Sequence, residues 1–369
     1  MQPGKATPEG TERYKRRFKG NIPPSHFSEI QGLSVSSIGL GTYLGEADEQ
    51  MDRGYEESTL AVLERGCNVV DTAINYRFQR SERNIGAALE RACESGKIKR
   101  DEVVISTKGG FVSFDGEYPA NPSRYFHDEF VKPGICSAED LVAECHCMTP
   151  AYLENQLGRS LQNLKLDCID IYLIHNPETQ LSEISRQDFL RRMLAAFRML
   201  EKKVAEGKIH MYGTATWNGY REPQNSRSYL SLEELIGLAR DAGGDDHHFR
   251  ALQLPYNLAM PEAFIVKNQK FGSESVSSLE AADRHRMLVL CSASILQGQL
   301  SRNLPDFVMK FFKGLKSDAH RALQFVRSTS GVSSALVGMS KVSHVEENMK
   351  LASYPRLPWE EMKELFSNG

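Results

Sequence analysis

The stretch VVDTAINY, residues 69–76, decides the fold and points to the chemistry. Its two valines end a short apolar run between turn-forming residues, which is typical of a buried strand rather than of a helix. Asp71 stands where this strand stops, and Tyr76 follows five residues later. Because a carboxylate buried without a partner is strongly unfavourable, we expect a cation beside Asp71.

Two further apolar runs also end in polar side chains. The run VVISTK ends at Lys108, and the run CIDIYLIH ends at His175. Lys108 is therefore the predicted partner of Asp71. A single His at a strand end is usually just a satisfied polar residue. Three strands that end in Asp, Lys and His, with a Tyr close to the first, instead indicate a shared chemical role.

The order of the predicted elements indicates the fold. FSEIQ, a turn at Gly32 and LSVSS predict an N-terminal hairpin that leads into the strand IGLGTY. Eight predicted strands are each followed by an amphipathic helix, and such a repeated unit closes into a parallel (β/α)8 TIM barrel. We predict one α/β barrel domain over residues 28–369, with a long insertion after the third strand. The later strands are expected at residues 67–71, 103–108, 169–175, 210–216, 251–254, 287–292 and 334–338.

The composition excludes several classes of function. The chain has 369 residues and a net charge of −3, so it lacks the basic surface that nucleic acids or anionic membranes require. No apolar run approaches the roughly 20 residues of a membrane span. Seven cysteines, an odd number, do not suggest a disulfide framework. We expect a cytoplasmic protein with a small-molecule partner, and its homo-oligomeric state stays open. Residues 1–27, rich in Lys, Arg, Gly and Pro, predict an extended, partly disordered arm.

The polar set suits the reduction of a carbonyl. A tyrosine with an ordinary pKa of about 10 is a poor acid at neutral pH, and a neighbouring ammonium lowers that pKa. Asp71 would hold Lys108 charged and aimed at Tyr76, while His175 would orient and polarise the carbonyl. The set has no metal-ligand spacing, so we predict no metal. A hydride-donating cofactor is therefore required.

The sequence resembles the aldo-keto reductase family over residues 28–355. The resemblance is carried by IGLGTYLG, VVDTAINYRFQRSERNIGAAL, VVISTKGG, LGRSLQNLKLDCIDIYLIHNP and GVSSALVGMSKVSHVEENM. It implies an NADPH-binding barrel that transfers hydride to an aldehyde, a ketone or a sugar. Tyr76 matches the family's general acid, and Asp71, Lys108 and His175 match its partners. The predicted cofactor-binding residues are Gly41, Thr42, Thr216, Gln253, Ser292, Gly338, Ser340, Lys341, His344, Glu347 and Asn348.

The chain departs from the family's pattern in three places. Ala215 and Thr216 stand where the family usually has Ser and Asn, and Ser292 stands where a Tyr often stacks on the nicotinamide. Where many members have an Arg for the 2′-phosphate, this chain has Ser340 followed by Lys341. Because Lys offers only a point charge, NAD is an alternative to the predicted NADP.

Residues 109–150 are far longer than the usual connection between a strand and a helix. Long loops on the catalytic face are where specificity is built, so their aromatic residues either wall a substrate pocket or form a small core of their own. We predict substrate contacts from Tyr43, Phe111, Asn176 and Trp217. A second hypothesis is a nucleotide-binding regulatory subunit that keeps this fold but has little turnover.

Overall fold

The computed structural model describes residues 1–367. Its strands follow the apolar runs of the sequence. In chain order they are β1 (Phe27–Ile30), β2 (Leu33–Ser36), β3 (Ile38–Gly41), β4 (Val69–Asp71), β5 (Val104–Gly109), β6 (Ile169–His175), β7 (Ile209–Ala215), β8 (Phe249–Pro255), β9 (Gln269–Phe271), β10 (Glu274–Val276), β11 (Leu288–Ser292) and β12 (Ser334–Gly338).

The helices occupy the amphipathic segments between these strands, and several begin at a side-chain cap. Asp48, for example, accepts a hydrogen bond from the backbone N–H of Met51 at 2.7 Å and opens the second helix. The helices are α1 (Pro8–Arg16), α2 (Glu49–Leu63), α3 (Arg80–Glu94), α4 (Pro122–Phe126), α5 (Pro150–Leu164), α6 (Arg186–Ala205), α7 (Leu232–Gly243), α8 (Glu262–Ile265), α9 (Ser278–Arg284), α10 (Asp306–Phe311), α11 (Asp318–Ser328), α12 (Val342–Met349) and α13 (Trp359–Ser367).

Eight strands close into a parallel barrel in the order β3, β4, β5, β6, β7, β8, β11 and β12, with β12 pairing back onto β3. This confirms the predicted (β/α)8 barrel. The bounds of β6 and β12 match the prediction. The small antiparallel hairpin of β9 and β10 was not predicted, and it directly precedes helix α9, which begins at Ser278.

Side chains alternate between the two faces of each barrel strand, because successive residues of a strand point to opposite sides. Val69 and Ile171 belong to an apolar cluster inside the barrel. Their neighbours Val70 and Tyr172 belong to the larger cluster that also includes helix residues such as Leu89. The hydrophobic core therefore has an inner part, within the barrel, and an outer part, between the strands and the helices.

The hairpin of β1 and β2 closes the N-terminal end of the barrel. Leu33 and Val35 are fully buried and belong to the inner cluster. Their strand is antiparallel to β1, with Ile30 opposite Leu33 across the turn. Gly32 takes a φ of +76° in that turn, a conformation that glycine adopts readily. The predicted hairpin is therefore present, and it places apolar side chains beneath the barrel.

The prediction of an extended N-terminal arm is wrong for residues 8–16, which form α1. Tyr14 is fully buried, and its hydroxyl donates to the backbone carbonyl of Leu63 at 2.7 Å. Arg13 donates to the buried Glu102 at 2.8 Å, and Arg17 pairs with the same carboxylate. The cationic residues that suggest a solvated tail are thus partners of a buried acid far along the chain.

The insertion over residues 109–150 contains helix α4 and a small core of its own. Phe126, Phe130, Cys147 and Tyr152 form a buried cluster in which the rings of Phe130 and Tyr152 lie 5.0 Å apart. Phe126 belongs to this small core and Tyr125 packs against it, Phe111 lines the cavity described below, and Phe114 and Tyr118 do neither. Each of the two alternatives for the aromatic residues of the insertion therefore holds for part of the set. None of the helices within residues 1–367 is long and apolar enough to cross a bilayer.

The buried His26 predicts an acid-sensitive fold. Its Nε2 lies 3.0 Å from the carbonyl of Gly66, and its Nδ1 lies 3.0 Å from the Ser37 hydroxyl. Burial, helped by the charge of Arg327, lowers the pKa of His26 to about 3. Above the unfolded-state pKa of about 6.5 the ring is neutral in both states, and its contribution to stability is complete. Between that pH and the folded-state pKa of about 3, the unfolded state binds a proton at His26 and the folded state does not.

We therefore expect the free energy of unfolding to fall by about 1.4 kcal/mol per pH unit, from this residue alone, as the pH drops below about 6.5. Urea denaturation between about pH 7 and pH 5 measures this slope. The His26→Gln variant removes the titrating group and should show a shallower slope. An unchanged slope in that variant would contradict the prediction.

Candidate active site

The alternation of the strands brings the polar strand ends to one place. Asp71 follows Val69 by two residues, and His175 follows Leu173 by two residues, so both side chains continue the inner face of their strands. Lys108 has the same inward position on β5, because Val104 belongs to the inner cluster. The parallel barrel gathers these three side chains at its C-terminal rim, where active sites of this architecture lie.

Asp71 and Lys108 form a buried ion pair. The Lys108 ammonium donates to Asp71 Oδ2 at 2.7 Å and to the backbone carbonyl of Thr72 at 2.7 Å. Gln253 donates to the other carboxylate oxygen, Oδ1, at 2.8 Å. Burial disfavours the charged ammonium, but the charge of Asp71 and the phenol of Tyr76 outweigh it, so the pKa of Lys108 lies above its ordinary value. The predicted partnership of Asp71 and Lys108 is therefore present.

Tyr76 lies directly over this pair, with Lys108 Nζ 4.7 Å from the centroid of the ring. Burial raises the pKa of Tyr76, and the Lys108 charge lowers it by less than burial raises it, so the net pKa is above the ordinary value of 10. The ammonium acts on this pKa in the predicted direction, but the loss of solvation, which the prediction did not include, outweighs it. The result is a phenol that stays protonated at neutral pH and can act as a proton donor.

His175 completes the group beside Tyr76. The centroids of the two rings lie 5.8 Å apart, and the Phe111 ring meets His175 edge-on at 4.9 Å. Burial, followed by the charge of Lys108, lowers the pKa of His175 well below its ordinary value. The ring is therefore neutral at physiological pH, with one nitrogen that donates and one that accepts.

The rim opens into a cavity of about 890 Å³. Among the predicted catalytic residues, Asp71, Tyr76 and His175 line it, while Lys108 is fully buried behind them. All four predicted substrate residues line it as well. The predicted cofactor residues in the lining are Gly41, Thr42, Thr216, Gln253, Ser292, Gly338, Ser340, His344, Glu347 and Asn348.

Lys341 is the predicted cofactor residue that the cavity lining does not include. It is exposed at the N-cap of α12, and its side chain makes no capping hydrogen bond. Arg302 lies in the lining instead. The sequence contains no signal that could have found Arg302, because it is a single cation in a loop and its position depends on the path of residues 296–301.

Two more residues of the site were missed. Asn75 lines the cavity beside Tyr76, and its adjacency to the proton donor was the available signal. Glu178 is buried, and its Oε1 accepts hydrogen bonds from the backbone N–H of Trp217 at 2.7 Å and of Asn218 at 3.0 Å. Burial raises the pKa of Glu178. Glu178 thus holds the loop that carries Trp217, a contact no spacing in the sequence could indicate.

The cavity lining offers polar atoms to a ligand. Three buried side-chain atoms of the lining, Asn75 Oδ1, His175 Nδ1 and Thr216 Oγ1, have no hydrogen-bond partner in the protein. Buried polar atoms are normally paired, so these three atoms indicate contacts with a bound molecule. Within residues 1–367, no group of three or more His, Cys, Asp or Glu side chains is arranged to hold a metal ion.

Comparison with known proteins agrees with this architecture. A model of the aldo/keto reductase family matches residues 37–226. The chain is 23% identical over 352 residues to YqkF of Bacillus subtilis (strain 168), an uncharacterized oxidoreductase, covering 91% of this chain and 93% of that protein. It is 28% identical over 208 residues to the NADH-specific methylglyoxal reductase of Escherichia coli (strain K12), covering 55% of this chain and 54% of that protein.

The fold is also similar to that of an aldo/keto reductase from Klebsiella pneumoniae, whose crystal structure is a complex with NADP and acetate. The TM-score is 0.60 at 22% identity, and the alignment covers 93% of this chain and 95% of that chain. This likeness supports the barrel as the fold.

Proposed function

The chain belongs to the aldo/keto reductase family, and on that premise we propose that it reduces the carbonyl of an aldehyde, a ketone or a sugar with NADPH, or oxidises the alcohol in reverse. The observation that carries this proposal is the cluster of Tyr76, the Asp71–Lys108 ion pair and a neutral His175 at the end of one large cavity. We further propose that residues 28–369 act as a single barrel domain, of which residues 368 and 369 lie outside the part of the chain that the structure describes.

In this proposal, Tyr76 donates its phenolic proton to the carbonyl oxygen as negative charge develops there. Lys108 stabilises the phenolate that remains, and Asp71 keeps Lys108 charged and in place. His175 donates an N–H hydrogen bond to the same oxygen, which polarises the carbonyl. The bound nicotinamide would supply the hydride.

Several features support a dinucleotide as the occupant of the rest of the cavity. Ser340 and His344 offer polar contacts near the start of α12, where backbone N–H groups favour a phosphate, and Asn348 offers a further polar contact from the last turn of the same helix. Arg302 adds a cation to the same cavity. The solved relative is in complex with NADP, which makes NADP the preferred cofactor. The relative named as NADH-specific keeps NAD as the alternative.

The two tryptophans allow a direct test of cofactor binding. Trp217 lines the cavity, whereas Trp359 packs on Phe264 with ring centroids 4.8 Å apart. We expect NADPH to quench the fluorescence of the purified protein, and to bind about tenfold more tightly than NADH if one extra contact of about 1.4 kcal/mol holds the additional phosphate. The signal should persist in Trp359→Phe and should largely vanish in Trp217→Phe.

The second experiment measures turnover of a panel of carbonyls with whichever cofactor binds. It distinguishes the reductase from the regulatory subunit. Steady turnover supports the reductase. Tight binding of the nucleotide with negligible turnover on every carbonyl would favour the regulatory subunit, a reading that the departures at Ala215 and Ser292 keep open. Failure of both nucleotides to bind would contradict both hypotheses.

A further inference from the structure

A chain of three polar side chains ends on the backbone of His175. Arg192 Nη1 donates to Gln180 Oε1 at 2.5 Å, and Gln180 Nε2 lies 2.9 Å from His146 Nδ1. His146 Nε2 in turn lies 2.7 Å from the carbonyl oxygen of His175. We name Arg192, Gln180 and His146 together the His146 chain. It joins helix α6 and the long insertion to the end of strand β6.

The direction of every hydrogen bond in the His146 chain follows from its first member. A guanidinium has donors and no acceptor, so the amide oxygen of Gln180 must face Arg192. The amide nitrogen then faces His146 and donates to both its Nδ1 and its backbone carbonyl. With Nδ1 accepting, the proton of the neutral ring is on Nε2, and Nε2 donates to the carbonyl of His175.

The ring is suited to remain neutral. His146 is fully buried, and burial lowers its pKa to about 4. The charge of Arg192 on α6 lowers this pKa as well, while the hydrogen bond to the backbone carbonyl of His175 raises it by less than burial lowers it. At physiological pH the ring therefore keeps the single tautomer that the amide of Gln180 selects.

The contact lies where the backbone leaves the barrel. Asn176 takes a left-handed conformation with φ 41°, and its N–H donates to the carbonyl of Ala215 at 2.6 Å. A Cβ on Gly110 would lie 2.8 Å from His146 Nε2 and 3.0 Å from the His175 carbonyl oxygen, so a glycine is needed for this approach. The Phe111 ring meets both His146, at 5.2 Å, and His175, at 4.9 Å.

We propose that His146 is a positioning residue for the reaction, which fixes the backbone of His175 and Asn176 so that both side chains face the substrate carbonyl. The inference rests on the proposed function. In this proposal the insertion helps to align the side chains of His175 and Asn176, in addition to lining the cavity with Phe111. His146 acts through His175 and does not line the cavity.

The test compares three variants of the full chain. His146→Leu removes the donor, whereas His146→Gln retains an N–H donor for the carbonyl of His175 and an oxygen to accept from Gln180. Phe130→Leu is the matched control, because it disturbs the core of the same insertion without touching the His146 chain. The measured quantities are the rate of hydrogen exchange at the Asn176 amide, kcat and KM for the best carbonyl of the panel, and the Kd for the cofactor.

We expect His146→Leu to speed exchange at Asn176 and to lower kcat about tenfold, as a loss of alignment of the reacting groups does. The Kd for the cofactor should change less than twofold, and His146→Gln should recover most of kcat. Unchanged exchange and unchanged kcat in His146→Leu would overturn the inference, as would an equal loss of kcat in Phe130→Leu. Hydrogen exchange at Asn176 can be measured without turnover. An inactive wild-type protein would therefore contradict the proposed reductase, while the effect of His146 on the backbone would still be tested.

Discussion

The Tyr76→Phe variant is expected to lose about 100- to 10,000-fold in kcat, the range that a positioned general acid contributes. The change removes only the hydroxyl, so the ring keeps its place over Lys108 and beside His175. The cofactor contacts proposed along the cavity are untouched, and the Kd for the nucleotide should stay within about twofold. Single-turnover kinetics with saturating cofactor measures the chemical step directly.

The control for this experiment is Tyr118→Phe. Tyr118 is also a phenol on the catalytic face, but its side chain is 63% exposed and lies outside the cavity lining. Removing that hydroxyl should leave kcat unchanged. Near-normal turnover in Tyr76→Phe would show that another group donates the proton, and the role proposed for Tyr76 would have to be abandoned.

The Lys108→Met variant is expected to lose both stability and activity. Removing one partner of a buried ion pair typically costs about 3–5 kcal/mol, because the other charge is left without compensation. Here the carboxylate of Asp71 would keep only the hydrogen bond from Gln253. Tyr76 would lose the cation that stabilises its phenolate, so kcat should fall by at least about 100-fold. Urea denaturation and steady-state kinetics measure the two effects.

The double variant Asp71→Leu with Lys108→Met separates these effects. It removes both charges together, and replacing a buried pair by apolar residues is often neutral for stability. We therefore expect the double variant to recover most of the free energy of unfolding that Lys108→Met loses, with no recovery of kcat. Recovery of kcat together with stability would mean that the pair serves the fold alone.

The barrel strands could be predicted because their apolar character is local. The strand β6 was predicted with its observed bounds, since most of its seven residues are apolar and His175 marks its end. The short strands β9 and β10 carry little apolar signal, and they were missed. Helix α1 was missed for a different reason: its stability depends on Glu102 and on the carbonyl of Leu63, which the sequence does not reveal as neighbours.

In the site, too, the features that follow from local sequence could be predicted, and those that depend on tertiary packing could not. The meeting of Asp71 and Lys108 follows from strand ends in a parallel barrel, so the sequence was sufficient. The net pKa of Tyr76 depends on how deeply the ring is buried, which only the packed structure determines. The contact from His146 comes from an irregular segment, where no periodicity relates one residue to another. The catalytic and binding roles of all these residues remain predictions until the variants are measured.

The hairpin beneath the barrel also has a consequence for the release of product and cofactor. Leu33 and Val35 belong to the apolar cluster inside the barrel, and the cavity is lined by residues at the opposite, C-terminal rim. If the proposed reaction occurs, the small product and the oxidised dinucleotide both leave the cavity at this rim. The molecule that is bound deeper would then be released second. The slower of the two release steps would limit kcat.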